Sequence, residues 1–348
     1  MAVEQPIEIV IATFAGLNTV SLPEAKPGGM RPNQAQLLRN LETSTGELAT
    51  IRGQKRLKVA KIDGTRPILG VWRVYKGSTA VKNTIYHTRG KLWTLSGSSL
   101  ASITGSAVTL TSGHAHTVCS YQDVVYGSNG QDAWWQWPFS GKITAPTTPG
   151  ENYRFVFPFE EKIVHARGKT NKDKVTWADE GAPTTYQSLN FIFYPPDRSD
   201  EITMAWPLAG EIILATSSRI GKTVGGLPPR AVVDIDLGRG SVSHYSAAVV
   251  AGWLYFMGLT DVYRTDGNVV QQVSRDLDTS DITISDDKKL RGSARGGRFY
   301  DLAYRSKANG AGFPDRVLTY DTWKDEWHGP HQFKVGGWNE WRAPKDDG

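Results

Sequence analysis

Residues 252–267 read GWLYFMGLTDVYRTDG. Gly252 marks a turn, and an apolar run from Leu254 to Met257 follows it. Gly258 to Asp261 supply a second turn, and Val262 to Thr265 form a second short run that closes on Asp266 and Gly267. Two short β-type runs joined by a Gly- and Asp-containing turn specify an antiparallel hairpin.

The same unit recurs along the chain. It appears at residues 83–97 (NTIYHTRGKLWTLSG), 122–141 (QDVVYGSNGQDAWWQWPFSG), 161–179 (EKIVHARGKTNKDKVTWAD), 210–225 (GEIILATSSRIGKTVG) and 297–327 (GRFYDLAYRSKANGAGFPDRVLTYDTWKDEW). Each opens on a polar or Gly turn, continues with about four apolar residues, turns again at Gly or Asn, and ends in a strand that often carries Trp or Tyr. Tyr86, Val125, Ile163, Ile212, Leu254 and Tyr300 are equivalent positions, separated by 39, 38, 49, 42 and 46 residues. A spacing of roughly 40–50 residues is that of a four-stranded propeller blade. One antiparallel blade cannot bury both of its faces alone. Stacking blades around an axis covers each face with a neighbour. The sequence therefore predicts an all-β, β-propeller-like fold of about five to seven antiparallel blades, with a large sandwich or two smaller β domains as the alternatives. Residues 182–200 (APTTYQSLNFIFYPPDRSD) read as an inserted excursion.

The predicted organisation has three parts: an N-terminal arm and hairpin over 1–60, the propeller over 61–333, and a short C-terminal tail over 334–348. In the arm, Ile7 to Ile11 (IEIVI) reads as a strand without a repeat partner. Asn33 to Asn40 reads as a short helix behind Pro32. Leu41 to Arg56 reads as a hairpin with its tip at Ser44 to Glu47. The arm would serve assembly or supply the strand that closes the ring. The tail ends in Trp338, Trp341 and a Lys-Asp-Asp run, and reads as a docking or mobile end.

Composition narrows the function classes. Among 348 residues there are 36 Gly and 12 Trp, a pairing of many turns with many aromatics that suits packed hairpins. Charged residues make up 22%, which argues against disorder of the whole chain. The formal net charge of +5 permits contact with DNA or an acidic partner without requiring it. The lone Cys119 rules out an intrachain disulfide and a cysteine-cluster zinc site. The longest apolar stretch, Ala247 to Leu254, is too short to span a membrane. The first residues lack the basic and apolar regions of a secretory signal, which implies synthesis in a cytoplasm.

Several ordered phrases resemble the nozzle-type tail proteins of short-tailed bacteriophages. Gly16-Leu17-Asn18-Thr19 comes first. Gln34 to Leu41, Gly46-Glu47-Leu48 and Arg52-Gly53 follow. Val175 to Asp179, Val262 to Gly267, and Val317 to Asp321 with Trp327 resemble later segments of that family. The resemblance spans residues 16 to 327 and implies a structural virion component of the tail: a nozzle, hub or collar ring. It implies no enzymatic activity and no cofactor. Its partners would be further copies of itself in a ring of six, the portal, the adaptor and other tail proteins. Contact with the passing DNA would be transient and non-specific.

Four local patterns carry possible chemistry. Arg167, Lys169, Lys172 and Lys174 form the densest basic loop, facing DNA or an acidic partner if it is more than a solvated hairpin tip. Asp132 beside Trp134, Trp135 and Trp137 would suit a sugar-stacking patch, or the three rings pack between blades. A carbohydrate-binding or carbohydrate-cleaving propeller is thus the alternative function, and cleavage would need two carboxylates about 5–10 Å apart. His114 and His116 lie on one side of a strand, but the sequence places no third ligand, so no metal site is assigned. Ser217 to Thr223 resembles the end of a phosphate-binding P-loop but lacks the first glycine. The Gly-Gly-Leu-Pro-Pro run at 225–229 that follows it forbids the helix such a loop needs, so this segment reads as a hairpin turn.

Overall fold

A computed structural model describes residues 41–42, 49–50, 68–77, 81–96, 99–285, 289–309, 313–332 and 335. The expected helix over 33–40, the strand over 7–11 and most of the C-terminal tail lie outside the described residues. The N-terminal hairpin is present as β1 (Leu41–Glu42) paired with β2 (Ala49–Thr50), with Leu41 opposite Thr50.

The rest is a six-bladed propeller in which every blade is antiparallel and built in chain order. Blade 1 holds β3 (Ile68–Lys76), β4 (Val81–Thr88), β5 (Lys91–Ser96) and β6 (Ser99–Ser102). Blade 2 holds β7 (Thr117–Tyr121), β8 (Val124–Ser128) and β9 (Trp135–Trp137), with a single bridge from Gln136 to Thr144 where a fourth strand would lie. Blade 3 holds β10 (Tyr153–Phe159), β11 (Lys162–Gly168), β12 (Lys174–Trp177) and β13 (Phe191–Phe193). Blade 4 holds β14 (Met204–Leu208), β15 (Glu211–Ala215), β16 (Ile220–Val224) and β17 (Ala231–Asp236). Blade 5 holds β18 (Ala248–Val250), β19 (Trp253–Met257), β20 (Val262–Thr265) and β21 (Val270–Gln272). Blade 6 holds β22 (Arg291–Arg295), β23 (Phe299–Tyr304), β24 (Arg316–Asp321) and β25 (Glu326–His331).

The six positions that set the sequence period fall on the second strand of the six blades. The predicted excursion at 182–200 belongs to the ring, because it carries β13, the fourth strand of blade 3, and the link into blade 4.

The first strands line the axis and the later ones step outward. The hairpin joining first to second strand is a two-residue turn with both residues at positive φ. This holds at Gln122-Asp123, Glu160-Glu161, Ala209-Gly210 and Ala251-Gly252, while blade 6 has a three-residue turn, Gly296 to Arg298, whose first two residues are at positive φ. That backbone twist matches the twist of the flanking strands, so the turn type is repeated even where no glycine is available.

Core packing runs between blades rather than within them. Ile85 and Leu92 of blade 1 meet Val125, Trp135 and Trp137 of blade 2. Tyr126 and Trp134 of blade 2 meet Val156 and Ile163 of blade 3. Phe155, Val164 and Val175 of blade 3 meet Ala205, Ile212 and Leu214 of blade 4. Met204 and Ile213 of blade 4 meet Leu254 and Phe256 of blade 5, and Tyr255 of blade 5 meets Tyr300 and Tyr320 of blade 6. These rings and branched chains alternate along each strand, so both blade faces are dry. Gly127 on β8 shows how tight the contact is. A Cβ there would stand 2.0 Å from the ring of Trp135.

The sixth interface differs. Among the described residues no apolar cluster joins blade 6 to blade 1. The face of blade 6 turned away from blade 5 carries Asp301, Thr319, Asp321, His328 and His331, all buried. Arg295 donates to Asp301 at 2.8 Å and Arg298 to Asp321 at 2.7 Å, while Thr319 Oγ1 donates to Asp301 at 2.6 Å. The ring closes at the axis instead, where Arg291 of β22 donates to the carbonyl of Leu69 in β3 at 3.3 Å. β1 packs beside β25, at the outer rim of blade 6.

Six of the seven histidines, all but His114, are buried. Burial disfavours the imidazolium. It lowers His116, His165 and His244 to about 3, lowers His328 and His331 to about 4, and holds His87 well below its ordinary value. The folded chain therefore keeps these rings neutral, whereas the unfolded chain protonates them near pH 6.5. Their contribution is complete above that pH and is lost as pH falls toward 4, at up to about 1.4 kcal/mol per pH unit for each ring.

Two outcomes are expected. Thermal unfolding should show a flat Tm above pH 7 and a steep fall between pH 6.5 and 4, made shallower by His165→Leu; a flat profile across that window would contradict buried neutral histidines. Gly127→Ala should destabilise by about 3 kcal/mol, because its neighbour is a fixed indole ring rather than a flexible chain end; urea denaturation measures it.

Candidate functional site

The six inner strands all begin at one face of the propeller, here the upper face. Between them runs an axial cavity of about 380 Å³. Its walls include Val71, Trp72, Val118, Val156, Trp206 and Pro207, with His116 and His244. None of its lining residues is a carboxylate.

Tyr245 caps the upper end. It belongs to the 3-10 turn His244–Ser246 that leads into β18, and Ser243 starts that turn by accepting from the Tyr245 N–H. Its hydroxyl reaches across to donate to the Ala115 carbonyl at 2.9 Å. The Arg291 guanidinium lies 5.0 Å from the ring centroid and that of Arg154 lies 5.7 Å away. Cations at these distances are held by the ring quadrupole. His244 is stacked on Phe155, with centroids 4.3 Å apart. The cap thus joins blades 2, 3, 5 and 6 through one aromatic side chain.

Beside the cap lies a second hollow of about 250 Å³, between blades 2 and 3. The segment before β7 brings His114 and Ala115, and the β8–β9 turn brings Asn129 to Gln131. β10 brings Arg154, the end of β11 brings Arg167 and Gly168, and the β11–β12 turn brings Lys169 and Lys172. Three of the four cations singled out in the sequence therefore share one concavity. Lys174 does not; its ammonium sits over the Phe191 ring at 4.9 Å. Arg154 completes the group, and sequence reading missed it because it lies apart in the chain, on β10 of the same blade, in a strand that reads as core.

Two carboxylates shape the hollow. Glu201 pairs with Arg167 and, at 2.9 Å, with Lys172. Glu151 accepts from the backbone N–H groups of Thr170 and Asn171, both at 2.7 Å, and from the Asn171 side chain at 3.2 Å. Burial alone would raise the Glu151 pKa. The hydrogen bonds from Asn171 and Thr170 outweigh burial and hold it below the ordinary range. Glu151 so fixes the turn that presents Lys169 and Lys172.

Of the two readings of the tryptophan patch, the structure takes packing between blades over sugar stacking. Trp134, Trp135 and Trp137 are all buried, between blades 2 and 3 or between blades 1 and 2. A stacking platform needs an exposed ring face, and these rings have given theirs to packing. Asp132 instead braces a loop, accepting from the Thr111 N–H at 2.6 Å, the Thr111 hydroxyl at 2.5 Å and the Asn129 side chain at 2.8 Å. His116 lies 4.4 Å from His87, ring to ring, and its Nδ1 accepts from Trp135 at 3.2 Å. No group of three metal-ligating side chains occurs among the described residues. The segment 217–223 forms the β15–β16 turn and β16, where Lys222 pairs with Glu211 at 2.9 Å. Burial pushes the Cys119 thiol up, so it stays protonated at neutral pH.

No family model and no curated protein sequence matches the chain. Solved structures match it at the level of fold. BamB from Moraxella catarrhalis is 12% identical with a TM-score of 0.44, over 77% of this chain and 85% of that one. Hsv2 from Kluyveromyces lactis is 12% identical with a TM-score of 0.44, over 81% and 85%. PorZ, a surface component of the type-IX secretion system of Porphyromonas gingivalis, is 11% identical with a TM-score of 0.46. That alignment covers 78% of this chain and 34% of PorZ, so the chain spans about a third of it. No helix among the described residues is long and apolar enough to cross a membrane.

Tyr245→Phe should cost about 1 kcal/mol by leaving the Ala115 carbonyl without its donor. Tyr245→Ala should cost more, because it also removes the ring between Arg154 and Arg291. Chemical denaturation of the two variants reads this order, and equal costs would mean that the hydroxyl alone matters.

Proposed function

We propose that the chain is a structural, non-catalytic component of a short-tailed phage tail, a ring-forming nozzle, hub or collar protein. The observation that carries this reading is the order of the resembling phrases across residues 16–327, in a chain whose fold is the one that resemblance implies. The first four phrases precede the propeller. The last three fall on β12, β20 and β24, the third strand of blades 3, 5 and 6, each running to an aspartate at the strand end or in the turn after it.

Those aspartates have a common mechanical role. Asp179 accepts from Asn190 at 2.8 Å, Asp266 from the Asn268 N–H at 2.8 Å, and Asp321 from the Trp323 N–H at 3.0 Å. Each ties down the connection to the outermost strand. A carboxylate held by local backbone or side-chain donors stiffens a turn without adding chemistry, which suits a rigid spacer.

The capped axis supports the same reading in a specific form. Tyr245 and its two arginines fill the upper end, so a duplex would run through an opening formed by several copies and not through one propeller. Copies would meet edge to edge in heterologous contacts, as in any closed ring. β17 is the most open of the described outer strands for which burial is known, with Ala231, Val233 and Asp234 exposed on an unpaired edge.

The test is the composition and map of the particle. Mass spectrometry of purified virions encoding this chain should find it, and cryo-electron microscopy should place a closed ring of copies coaxial with the portal. Absence of the chain from virions would overturn the proposal.

A further inference from the structure

We propose that the hollow between blades 2 and 3 is a phosphate-binding site. Four cationic side chains, Arg154, Arg167, Lys169 and Lys172, line a concavity of about 250 Å³ at the upper face, with His114 at its wall. One carboxylate, Glu201, pairs within this group, with Arg167 and Lys172. With Glu151 behind the turn, four positive charges against two negative charges leave a surplus of two, which a doubly charged oxyanion balances. A singly charged carboxylate would balance it less fully.

The donor types point the same way. Guanidinium groups offer planar forks that match pairs of phosphate oxygens, and ammonium groups add point charges that swing to meet the remaining ones. The hollow combines two of each, drawn from β10, the end of β11 and the turn after it.

The site is also organised before any ligand arrives. The cationic turn is anchored from behind by Glu151 through Thr170 and Asn171. It is held to its own blade by the Lys169 N–H donating to the Asn152 carbonyl at 2.7 Å. Asn152 in turn donates through its side chain to the Gln131 carbonyl at 2.9 Å, which ties the turn to blade 2. Arg154 is steadied by the rings of Phe155 and Tyr245, at 5.9 and 5.7 Å. Restraint of this kind lowers the ordering cost of binding. Lys169 is exposed and has no ion pair among the described residues, which leaves it as the group that gains most from an incoming anion.

The phosphate could belong to a free phosphate compound or to a nucleic acid backbone, and two probes separate these sources. Calorimetric titration with inorganic pyrophosphate should show saturable binding to the isolated chain. The Lys169→Ala, Lys172→Ala pair should weaken it about tenfold or more by removing two charge-assisted donors. Lys307→Ala, on the same face but on blade 6, should leave it unchanged. Should the double variant unfold, Lys169→Glu alone keeps the test, since that side chain is exposed. A 20-base-pair DNA duplex followed by fluorescence anisotropy reads the second source. Binding whose salt slope falls by about one for each lysine removed assigns the site to a backbone phosphate. Pyrophosphate binding without duplex binding assigns it to a free phosphate compound. No saturable pyrophosphate binding, or binding unchanged by the lysine substitutions, overturns the proposal. Every arm uses the isolated chain, so the result stands apart from whether the chain is found in virions.

Discussion

A four-stranded antiparallel blade has two faces and can hide neither by itself, and everything else in this protein answers that constraint. Five inter-blade layers answer it with apolar side chains: Trp135 and Trp137 between blades 1 and 2, Trp134 between blades 2 and 3, Phe155 and Phe157 between blades 3 and 4, Phe256 between blades 4 and 5, and Tyr255, Tyr300 and Tyr320 between blades 5 and 6. Large rings serve well here because they fill the wedge between two twisted sheets at a low entropy cost. Trp134, Trp135, Trp137, Trp177 and Trp327 are all buried in these layers. That is why the patch around Asp132 is a packing element, with no ring face left for a ligand.

Among the described residues, ring closure answers the constraint by polar means. Blade 6 turns Asp301, Thr319, Asp321, His328 and His331 toward the seam, where Arg295 and Thr319 donate to Asp301 and Arg298 donates to Asp321. A buried ion pair adds little net stability, because desolvation offsets the attraction. The covalent order of the chain already brings five interfaces together, because sequential blades are neighbours. The sixth joins the two ends of the propeller, and there Arg291 reaches the Leu69 carbonyl while Tyr245 gathers Arg154 and Arg291 over the axis. The buried histidines add a condition to this architecture, since the core is dry only while those rings stay neutral.

The basic hollow follows from the same geometry. Turns between second and third strands emerge at the upper face, beside the neighbouring blades. A turn rich in lysine on blade 3 therefore faces the loops of blade 2 and the arginine that starts β10. Glu151 and Glu201 then set which cations turn inward and which remain paired.

The sequence by itself determined the all-β class, the blade period and the number of hairpin units, because strand alternation and turn chemistry are local properties that leave a repeating signature. It also marked Arg167, Lys169 and Lys172 as a dense cationic turn. Only the tertiary structure decided that there are six blades, that residues 182–200 carry the fourth strand of blade 3, and that Trp134 to Trp137 are buried. It alone joined Arg154 to the lysines and set Lys174 apart over Phe191. These outcomes depend on which face of a strand meets which neighbouring blade. That is fixed by the angle between blades around a common axis, a property of the closed ring that no single hairpin contains.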